Sequence, residues 1–366
     1  MNRRLGSLVW LGSLVMACGT PSAAPDANGM DAVVASDASA EAAMDGASSP
    51  DVNTPPPEDA SQYDGAVVSR FPLEMSIDLA PAEEVTRCVV LRLNNMRPEF
   101  IRRMTAHLGD ASHHLIAYRS NSRVERTTPF ECNGFSGIRD ISDFDTPLLI
   151  AQQTDTTLTM PNNVGMAIDA DDYIRLEFHA VNLRATPIRA TATLIVDTVD
   201  QTVPLAQANL MFWGNTQISL PASSRSTVDF FHTPLGGVRM FGLTSHTHHY
   251  GVRSTIHLAT GTRTQAPGAP GPTWTNVVDG EMLHESRNWS DPPLTLFNTP
   301  RTFAAGQGLH LRCEYNNTSN RRVTYGESVD QEMCFLWAYY YPAPRGTHIC
   351  AIGFRSDQTV LCFPPS

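Results

Sequence analysis

From about residue 70 to the end of the chain, short runs of alternating or β-branched apolar residues recur between Gly and Pro turns. Successive side chains of a β-strand point to opposite faces, so these runs predict strands with at least one buried face. Many short strands with little 3.6-residue periodicity predict an all-β protein built from antiparallel β-sandwiches. The predicted strands are residues 88–93, 114–118, 173–179, 190–196, 238–246, 252–258, 309–315 and 333–341.

Three segments interrupt this pattern. Residues 97–106 have the best helical periodicity in the chain and predict one short helix. The Gly- and Pro-rich residues 261–273 predict a solvent loop between two strands. A break near residues 199–207 predicts two tandem jelly-roll-like sandwich domains, at 67–202 and 203–366.

The N-terminus has the features of an export signal. Arg3 and Arg4 precede an apolar run, residues 5–17, that is too short to span a bilayer. The run ends in Val-Met-Ala-Cys, which resembles a bacterial lipobox and predicts a signal peptide at 1–17 and a lipid on Cys18; an ordinary cleaved signal is the alternative. We therefore expect an exported lipoprotein, anchored to a membrane surface of the bacterial cell envelope, in the outer membrane or periplasm.

Residues 18–66 consist mostly of Ala, Ser, Asp, Pro and Gly. Such a segment cannot bury enough apolar area to offset the entropy cost of ordering it, which predicts a disordered acidic tether. All 26 basic residues of the chain are Arg, against 37 acidic residues and a net charge of −11. With no basic stripe to neutralise phosphates, nucleic acid is excluded as an expected partner.

The cysteine count agrees with export. Apart from Cys18 there are six cysteines, an even number that predicts three disulfides in an oxidising compartment. No Cys-x-x-Cys motif is present, which argues against a thiolate zinc site. The six are Cys88, Cys132, Cys313, Cys334, Cys350 and Cys362.

Histidines fall in clusters. His246 and His248 form a His-x-His motif on a predicted strand, where the period of two puts both on one face, close enough to share a metal ion. His113 and His114 are adjacent, so they can meet at one ion only at a bend or a strand end. His179 ends another predicted strand. Imidazole suits Zn, Cu, Fe or Ni, so the spacing alone leaves the metal open.

These motifs, in their order, carry a specific resemblance. The chain resembles the copper type II, ascorbate-dependent monooxygenases, the family of peptidylglycine α-hydroxylating monooxygenase and dopamine β-monooxygenase, from about residue 70 to 350. The matching segments are His-His-Leu-Ile-Ala-Tyr at 113–118, Pro-Asn-Asn-Val-Gly at 161–165, Arg-Leu-Glu-Phe-His at 175–179, His-Thr-His-His-Tyr-Gly at 246–251, Glu-Met-Cys at 332–334, and Tyr339 with Tyr340.

The resemblance implies two copper ions on either side of a solvent-filled gap between two domains. His113, His114 and His179 would hold an electron-transfer copper. An oxygen-binding copper would be held by His246, His248 and the thioether of Met333, a soft ligand that favours Cu(I). The resemblance also implies disulfides Cys88–Cys132 and Cys313–Cys334, which leaves Cys350 and Cys362 to form the third.

The implied reaction is hydroxylation of a substrate C–H bond by O2, with ascorbate or a similar one-electron donor as reductant. No catalytic residue beyond the metal ligands is needed. Two alternatives remain open from the sequence. One is a copper-binding lipoprotein that stores or delivers the metal, and the other is a non-catalytic β-sandwich binding protein.

The substrate is a small molecule of unassigned identity. The peptide-specific members have an Arg where Thr244 stands, and an Asn and a Tyr where Phe335 and Trp337 stand, so these three positions favour a neutral or apolar substrate. Glu332 and Glu177 are interpreted as solvated carboxylates, with an orienting role toward the metal ligands as the alternative. The sequence leaves the oligomeric state open.

Overall fold

A computed structural model describes residues 67–135, 145–264, 272–343, 348–352 and 361–363, the last two ranges by their backbone alone. The predicted signal peptide, Cys18 and the tether lie outside the described residues. The described part of the chain falls within one compact unit, Glu58–Ser366. It contains strands and no helices, which confirms the all-β prediction, and none of its elements is an apolar helix long enough to cross a membrane.

Eleven strands up to residue 207 form two sheets. Sheet 1 has the order β1-β10-β3-β8-β11, with β7 also paired to β3, and sheet 2 has the order β5-β2-β9-β4-β6. The strands are β1 Ser69–Leu79, β2 Glu84–Arg92, β3 Glu99–Leu108, β4 Ser112–Arg119, β5 Arg126–Glu131, β6 Thr146–Ala151, β7 Asp155–Thr159, β8 Val164–Ile168, β9 Tyr173–Val181, β10 Ile188–Asp200 and β11 Ala206–Gln207.

The strands from residue 209 onward form two larger sheets and a small one. Sheet 3 has the order β18-β15-β21-β12-β22-β23, sheet 4 the order β14-β19-β16-β17, and β13 pairs with β20. The strands are β12 Asn209–Asn215, β13 Ser219–Leu220, β14 Ser224–His232, β15 Arg239–His246, β16 Gly251–Thr264, β17 Thr273–Ser286, β18 Thr295–Thr302, β19 Gln307–Asn317, β20 Val323–Thr324, β21 Phe335–Tyr341, β22 His348–Ile352 and β23 Leu361–Phe363.

Sheet 3 is buried on both faces. Phe335, Trp337 and Tyr339 of β21 belong to a core that also contains the apolar residues of sheets 1 and 2. The alternating residues of the same strand, Leu336, Ala338 and Tyr340, pack into a second core with sheet 4. A strand with two buried faces reads as a continuous apolar run, as Phe-Leu-Trp-Ala-Tyr-Tyr-Tyr does. The first core therefore joins both halves of the chain.

The helix predicted at 97–106 is wrong, because this segment lies in β3. In the pairing of β3 with β10, Ile101 is opposite Thr198 and Arg103 is opposite Asp197, so Arg102 is an extra, bulged residue. The bulge shifts the alternation, and the buried positions become Ile101, Met104 and Ala106. With Leu108, which is also buried, Ile101 and Met104 have the spacing of three and then four residues that is typical of one face of a helix.

The predicted loop at 261–273 is shorter than expected. Strand β16 continues to Thr264 and β17 begins at Thr273, and residues 265–271 lie outside the described part. The eight predicted strands are confirmed in their main parts. The domain boundary between 202 and 203 remains a prediction; β11, just beyond it, still pairs with β8 of sheet 1.

Two of the predicted disulfides are present, Cys88–Cys132 and Cys313–Cys334. For the third, the backbones of Cys350 and Cys362 are directly opposed in the antiparallel pair β22–β23. Opposed residues of such a pair have Cα atoms about 4.5–5.5 Å apart, within the span of a disulfide. The bond between these two cysteines itself remains a prediction.

Candidate metal centre

A bulge at the start of β4 lets two adjacent histidines face the same space. Ser112 pairs with Ala180 and His114 pairs with His179, so His113 is the extra residue. The ring centroids of His113 and His114 are 5.0 Å apart, and those of His114 and His179 are 5.1 Å apart. These three residues, the first histidine set, are buried. The bend expected from the sequence is this bulge.

His246 and His248 form the second histidine set. His246 ends β15 and His248 follows two residues later, in the turn before β16. Their ring centroids lie 5.0 Å apart and both side chains are fully buried. His249 is exposed on the other side, as the alternation predicts. The expected common face is therefore present, although His248 lies just beyond the strand.

The two sets meet in one buried cluster. The ring of His113 lies 5.5 Å from that of His246 and 5.6 Å from that of His248, and the ring of His114 lies 5.2 Å from that of His246. The solvent-filled gap implied by the resemblance is thus absent from the described structure. The reason is the shared core, in which apolar side chains of sheet 3 pack against sheet 2 beside the histidines.

Burial keeps the imidazoles of His113, His114, His246 and His248 neutral. Desolvation, with a smaller contribution from neighbouring histidines, lowers the pKa of His113, His114 and His246 well below the usual value. Desolvation also lowers the pKa of His248, to about 3. Neutral imidazole is the form that binds metal ions.

Two polar side chains and one backbone carbonyl, all distant along the chain, orient three of the rings. Nε2–H of His179 donates to Glu84 Oε1 at 2.9 Å, and Nδ1–H of His246 donates to Gln152 Oε1 at 2.6 Å. Nδ1–H of His248 donates to the carbonyl of Gln331 at 3.3 Å. Second contacts of this kind fix the tautomer of a metal-binding histidine. Sequence reasoning missed Glu84 and Gln152, since neither lies near a histidine along the chain.

Glu84 also joins the two halves of the chain. It accepts hydrogen bonds from the hydroxyl of Ser328, at 2.8 Å, and from the backbone N–H of Val329, at 2.8 Å. Burial would raise the pKa of this carboxyl, but the hydrogen bonds from His179, Val329 and Ser328 outweigh it and lower the pKa to about 2. Glu84 is thus a carboxylate that holds His179 against the 328–329 segment.

The ring nitrogens that remain point to a bound cation. His246 Nε2 and His248 Nε2 lie 3.2 Å apart, close enough to share a proton or to bind one metal ion together. All four ring nitrogens of His113 and His114 are buried and have no hydrogen-bond partner among the described residues. Buried polar atoms without a partner are costly and rare in native structures. The donor set therefore fits metal ions with nitrogen ligands.

Two overlapping groups of histidines have metal-binding dimensions. The ligand nitrogens of His113, His246 and His248 lie within 4.8 Å of one another, and so do those of His113, His114 and His179. Comparison with known proteins identifies the metal chemistry: residues 219–359 match the family model "Copper type II ascorbate-dependent monooxygenase, C-terminal domain". This match to the C-terminal part of the chain supports membership of a copper-dependent family. The matched segment contains the second histidine set and Met333, while the first set precedes it.

Two solved structures are also similar to the chain, at low scores. The major capsid protein P2 from Bacteriophage PM2 has 9% identity over 76% of this chain and 99% of that chain, with a TM-score of 0.29. The STIV MCP has 8% identity over 74% of this chain and 95% of that chain, with a TM-score of 0.30. Scores this low do not show a common fold.

Met333, within the matched segment, lies on a firmly held backbone. Its N–H donates to Glu332, and its carbonyl accepts a hydrogen bond from the hydroxyl of Tyr315 at 2.7 Å. Cys334, the next residue, forms the disulfide with Cys313. Met333 is fully buried in the shared core. Its thioether as a copper ligand remains a prediction.

The carboxylates near the ligands are buried, so their interpretation as solvated groups is wrong. Glu332 accepts the backbone N–H groups of His248, at 2.9 Å, and Tyr250, at 2.6 Å, and thereby joins the His-x-His turn to Met333. Burial raises its pKa to about 7, although those backbone donors lower it. Glu177 accepts the N–H of Phe135 at 2.6 Å. The alternative, an orienting role, fits Glu332.

The substrate-pocket candidates lie beside the second histidine set, in an aromatic cluster rather than an open pocket. Thr244 accepts a hydrogen bond from Gln152 Nε2 at 3.2 Å. The rings of Phe335 and Trp337 lie 4.6 and 4.4 Å from that of Phe212. All three candidates are buried, and the indole N–H of Trp337 has no partner among the described residues.

Phe135 closes this aromatic cluster from the other half of the chain. Its ring stacks on that of Phe212 at 5.7 Å and lies 5.9 Å from that of His246. Its backbone has a φ of 54°, in the left-handed region that a bulky residue rarely adopts. Such strain persists only where surrounding contacts enforce it, and it concentrates at functional sites. No feature of the sequence singles out Phe135.

A polar cavity of about 290 Å³ lies next to the histidines. It is lined by Ser112, which precedes His113, by Gln152, which holds His246, and by Ser290. Trp289, next to Ser290, is half-buried with its ring 5.2 Å from that of His113. The cavity and the half-buried Trp289 thus lie on the side of the cluster formed by His113.

Proposed function

We propose that this protein is a copper-dependent monooxygenase that hydroxylates a substrate C–H bond with O2, using ascorbate or a similar one-electron donor. The observation that carries the proposal is the 3.2 Å separation of Nε2 of His246 and Nε2 of His248, in a segment that matches the family. Two neutral acceptors this close are stabilised by a cation between or beside them.

In this proposal the first histidine set holds the electron-transfer copper, and the second set with Met333 holds the oxygen-binding copper. When bound, two copper ions supply the two electrons that the insertion of one oxygen atom from O2 requires, the other atom leaving as water. The soft sulfur of Met333 favours the Cu(I) state. No residue is proposed as an additional acid, base or nucleophile.

The protein's own groups prepare the site. Burial keeps the imidazoles neutral, Glu84 and Gln152 fix two of the rings, and Glu332 ties the His-x-His turn to Met333. Because ligands held by outer hydrogen bonds lose little freedom on binding, this arrangement favours tight metal binding.

We infer a neutral or apolar small-molecule substrate. Thr244, Phe335 and Trp337 present no cation that could bind a carboxylate, and two of them belong to an aromatic cluster beside His246. The indole N–H of Trp337 is available to one acceptor on the substrate. Efficient α-hydroxylation of a peptide with a C-terminal glycine would contradict this inference.

We further propose that the protein is exported and anchored by a lipid on Cys18 to the surface of a membrane in the bacterial cell envelope. The Val-Met-Ala-Cys segment and the acidic tether support this proposal. Mass spectrometry of the mature N-terminus tests it: a diacylglyceryl-modified Cys18 is expected, and an unmodified terminus elsewhere would contradict it.

The catalytic proposal is tested on the mature chain after copper reconstitution, beside the same chain with Met333→Ala. We expect two coppers per chain, binding of CO to the reduced parent that is lost in the variant, and ascorbate-dependent O2 uptake. Copper binding without O2 uptake would favour storage or delivery. No bound copper would favour a binding protein without catalysis.

A further inference from the structure

A row of four polar side chains crosses the apolar core between sheets 3 and 4. The hydroxyl of Ser245 lies 2.9 Å from Nε2 of His284 and 2.7 Å from the hydroxyl of Ser254. At the other end, Nδ1 of His284 lies 2.9 Å from the hydroxyl of Thr295. His284 is buried and pairs across the strands with Ile256, a residue of the second core. The row therefore runs through apolar surroundings.

His284 joins the two sheets of this sandwich. It lies on β17 of sheet 4, whereas Ser245 and Thr295 lie on β15 and β18 of sheet 3, which pair with each other. Each ring nitrogen of His284 therefore contacts a different strand of sheet 3. The imidazole holds the end of β15 and the start of β18 at fixed positions relative to sheet 4.

The row is fully hydrogen-bonded. Desolvation lowers the pKa of His284 to about 4, so its ring is neutral near neutral pH, with one N–H and one lone pair. Because hydroxyl groups both donate and accept, Ser245 and Thr295 can satisfy both ring nitrogens. Replacing paired polar groups by apolar groups of similar shape is often neutral for stability. A satisfied polar row in a core serves instead to fix one arrangement of its members.

The arrangement that this row fixes includes His246. Ser245 directly precedes His246, the last residue of β15. The carbonyl of Ser245 also accepts a hydrogen bond from Nε2 of Gln152 at 3.0 Å, and Oε1 of the same amide lies 2.6 Å from Nδ1 of His246. A shift of Ser245 would therefore move both the backbone of His246 and the partner of its ring.

We propose that His284 is a positioning residue for the second histidine set: through Ser245 it holds the end of β15, so that the ring of His246 keeps the orientation that binds metal. This inference rests on the proposed copper binding. His284 acts at one remove, because the side chains of Ser245 and His246 point to opposite faces of β15.

Two substitutions at position 284 separate this contact from packing alone. The amide of Gln reaches the position of Nε2, and the shorter Asn reaches that of Nδ1, so His284→Gln keeps the contact with Ser245 and His284→Asn keeps only that with Thr295. We expect His284→Asn to weaken copper binding at the second set by about tenfold, the lower end of the range for lost supporting contacts. His284→Gln should keep the parental affinity. Copper titration against a competing chelator measures both, and CO binding to the reduced protein reports the second set.

A matched serine pair tests the same contact without changing the histidine. Ser245→Ala removes the hydroxyl that contacts His284, and Ser254→Ala leaves that contact in place. Only Ser245→Ala is expected to weaken copper binding at the second set. Far-UV circular dichroism checks that each variant is folded, and this pair decides the question if a variant at position 284 does not fold.

Nuclear magnetic resonance of the metal-free chain, labelled with 15N in its histidine rings, gives a readout that needs no copper. The signals of His246 should shift in His284→Asn and Ser245→Ala and match the parent in His284→Gln and Ser254→Ala. Equal copper affinities and equal His246 signals within each pair of variants would overturn the positioning role. A parent that binds no copper would instead overturn the proposed function, while the spectra still report whether His284 orients His246.

Discussion

Gln152 Oε1 lies 2.6 Å from Nδ1 of His246 and joins the end of β6 to the second histidine set. The same side chain donates through Nε2 to Thr244 and to the carbonyl of Ser245. One amide therefore fixes both its own orientation and the tautomer of His246. It is also one of the polar links between the two halves of the chain.

Replacing Gln152 by Leu is expected to weaken copper binding at the second set. Without the acceptor at Nδ1, His246 can rotate or protonate at Nε2, and loss of such a contact typically costs 10- to 100-fold in metal affinity. Copper titration of the variant measures this. Gln153→Leu, at the neighbouring half-buried position, is the matched control, and equal affinities for the two variants would contradict the orienting role.

Phe135 is expected to tolerate Gly better than Ala. Both changes delete a buried ring, at a cost of about 3–5 kcal/mol, but only Gly adopts a φ of 54° without strain. We expect Phe135→Gly to be about 1 kcal/mol more stable than Phe135→Ala in urea unfolding.

Phe212 provides the control for this comparison, because it lies within β12 and stacks on the same ring. There Gly costs more than Ala, since it loses more freedom on folding. The order of stability of the two variants should therefore be reversed at position 212. If the Ala variant were more stable than the Gly variant at both positions, the backbone at Phe135 would carry no strain.

Removing the Cys313–Cys334 disulfide with two alanines is expected to cost about 3 kcal/mol of stability, given its sequence separation of 21 residues. Because Cys334 follows Met333, CO binding to the reduced, copper-loaded protein should also fall. Removing Cys88–Cys132, with a separation of 44, should cost about 4 kcal/mol and leave CO binding unchanged. If both removals changed CO binding equally, the Cys313–Cys334 disulfide would have no specific role in supporting Met333.

Asp197 makes stability depend on pH. Burial raises the pKa of this carboxyl, but hydrogen bonds from Arg70, at 2.7 Å, and Arg103, at 2.9 Å, outweigh that and lower it. A carboxyl whose folded pKa is lowered contributes stability above its unfolded pKa, about 3.9, and loses it as the pH falls through the folded value.

Asp197→Asn should therefore destabilise the protein by about 1.5–3 kcal/mol at pH 6, and by less as the pH falls below about 4. Urea unfolding across this range measures the difference from the parent. Asp78→Asn, which removes an exposed ion pair with Arg189, should have little effect at any pH. If the difference in unfolding free energy between Asp197→Asn and the parent did not change with pH, the carboxyl of Asp197 would not be the source of the pH dependence.

The alternation of apolar and polar residues within short segments predicted much of the fold. The alternation in Tyr-Ile-Arg-Leu-Glu-Phe-His at 173–179 predicted β9, and the eight strands found this way are confirmed in their main parts. The same rule failed at Arg102, where a bulge changed the spacing of the buried residues. Bulges depend on the partner strand, so the segment's own residues cannot reveal them.

The sequence by itself determined the all-β class, the His-x-His pair at His246 and His248 and, through the order of its motifs, a family resemblance that implied two of the disulfide pairings. Those features depend on residues that are neighbours along the chain or on short segments that can be matched one by one. Only the tertiary structure decided that the two histidine sets share one buried space, that Glu84 and Gln152 hold their rings, and that His113 lies between them. These relations join residues more than ninety positions apart, and they arise from how sheets 2 and 3 pack across a common core.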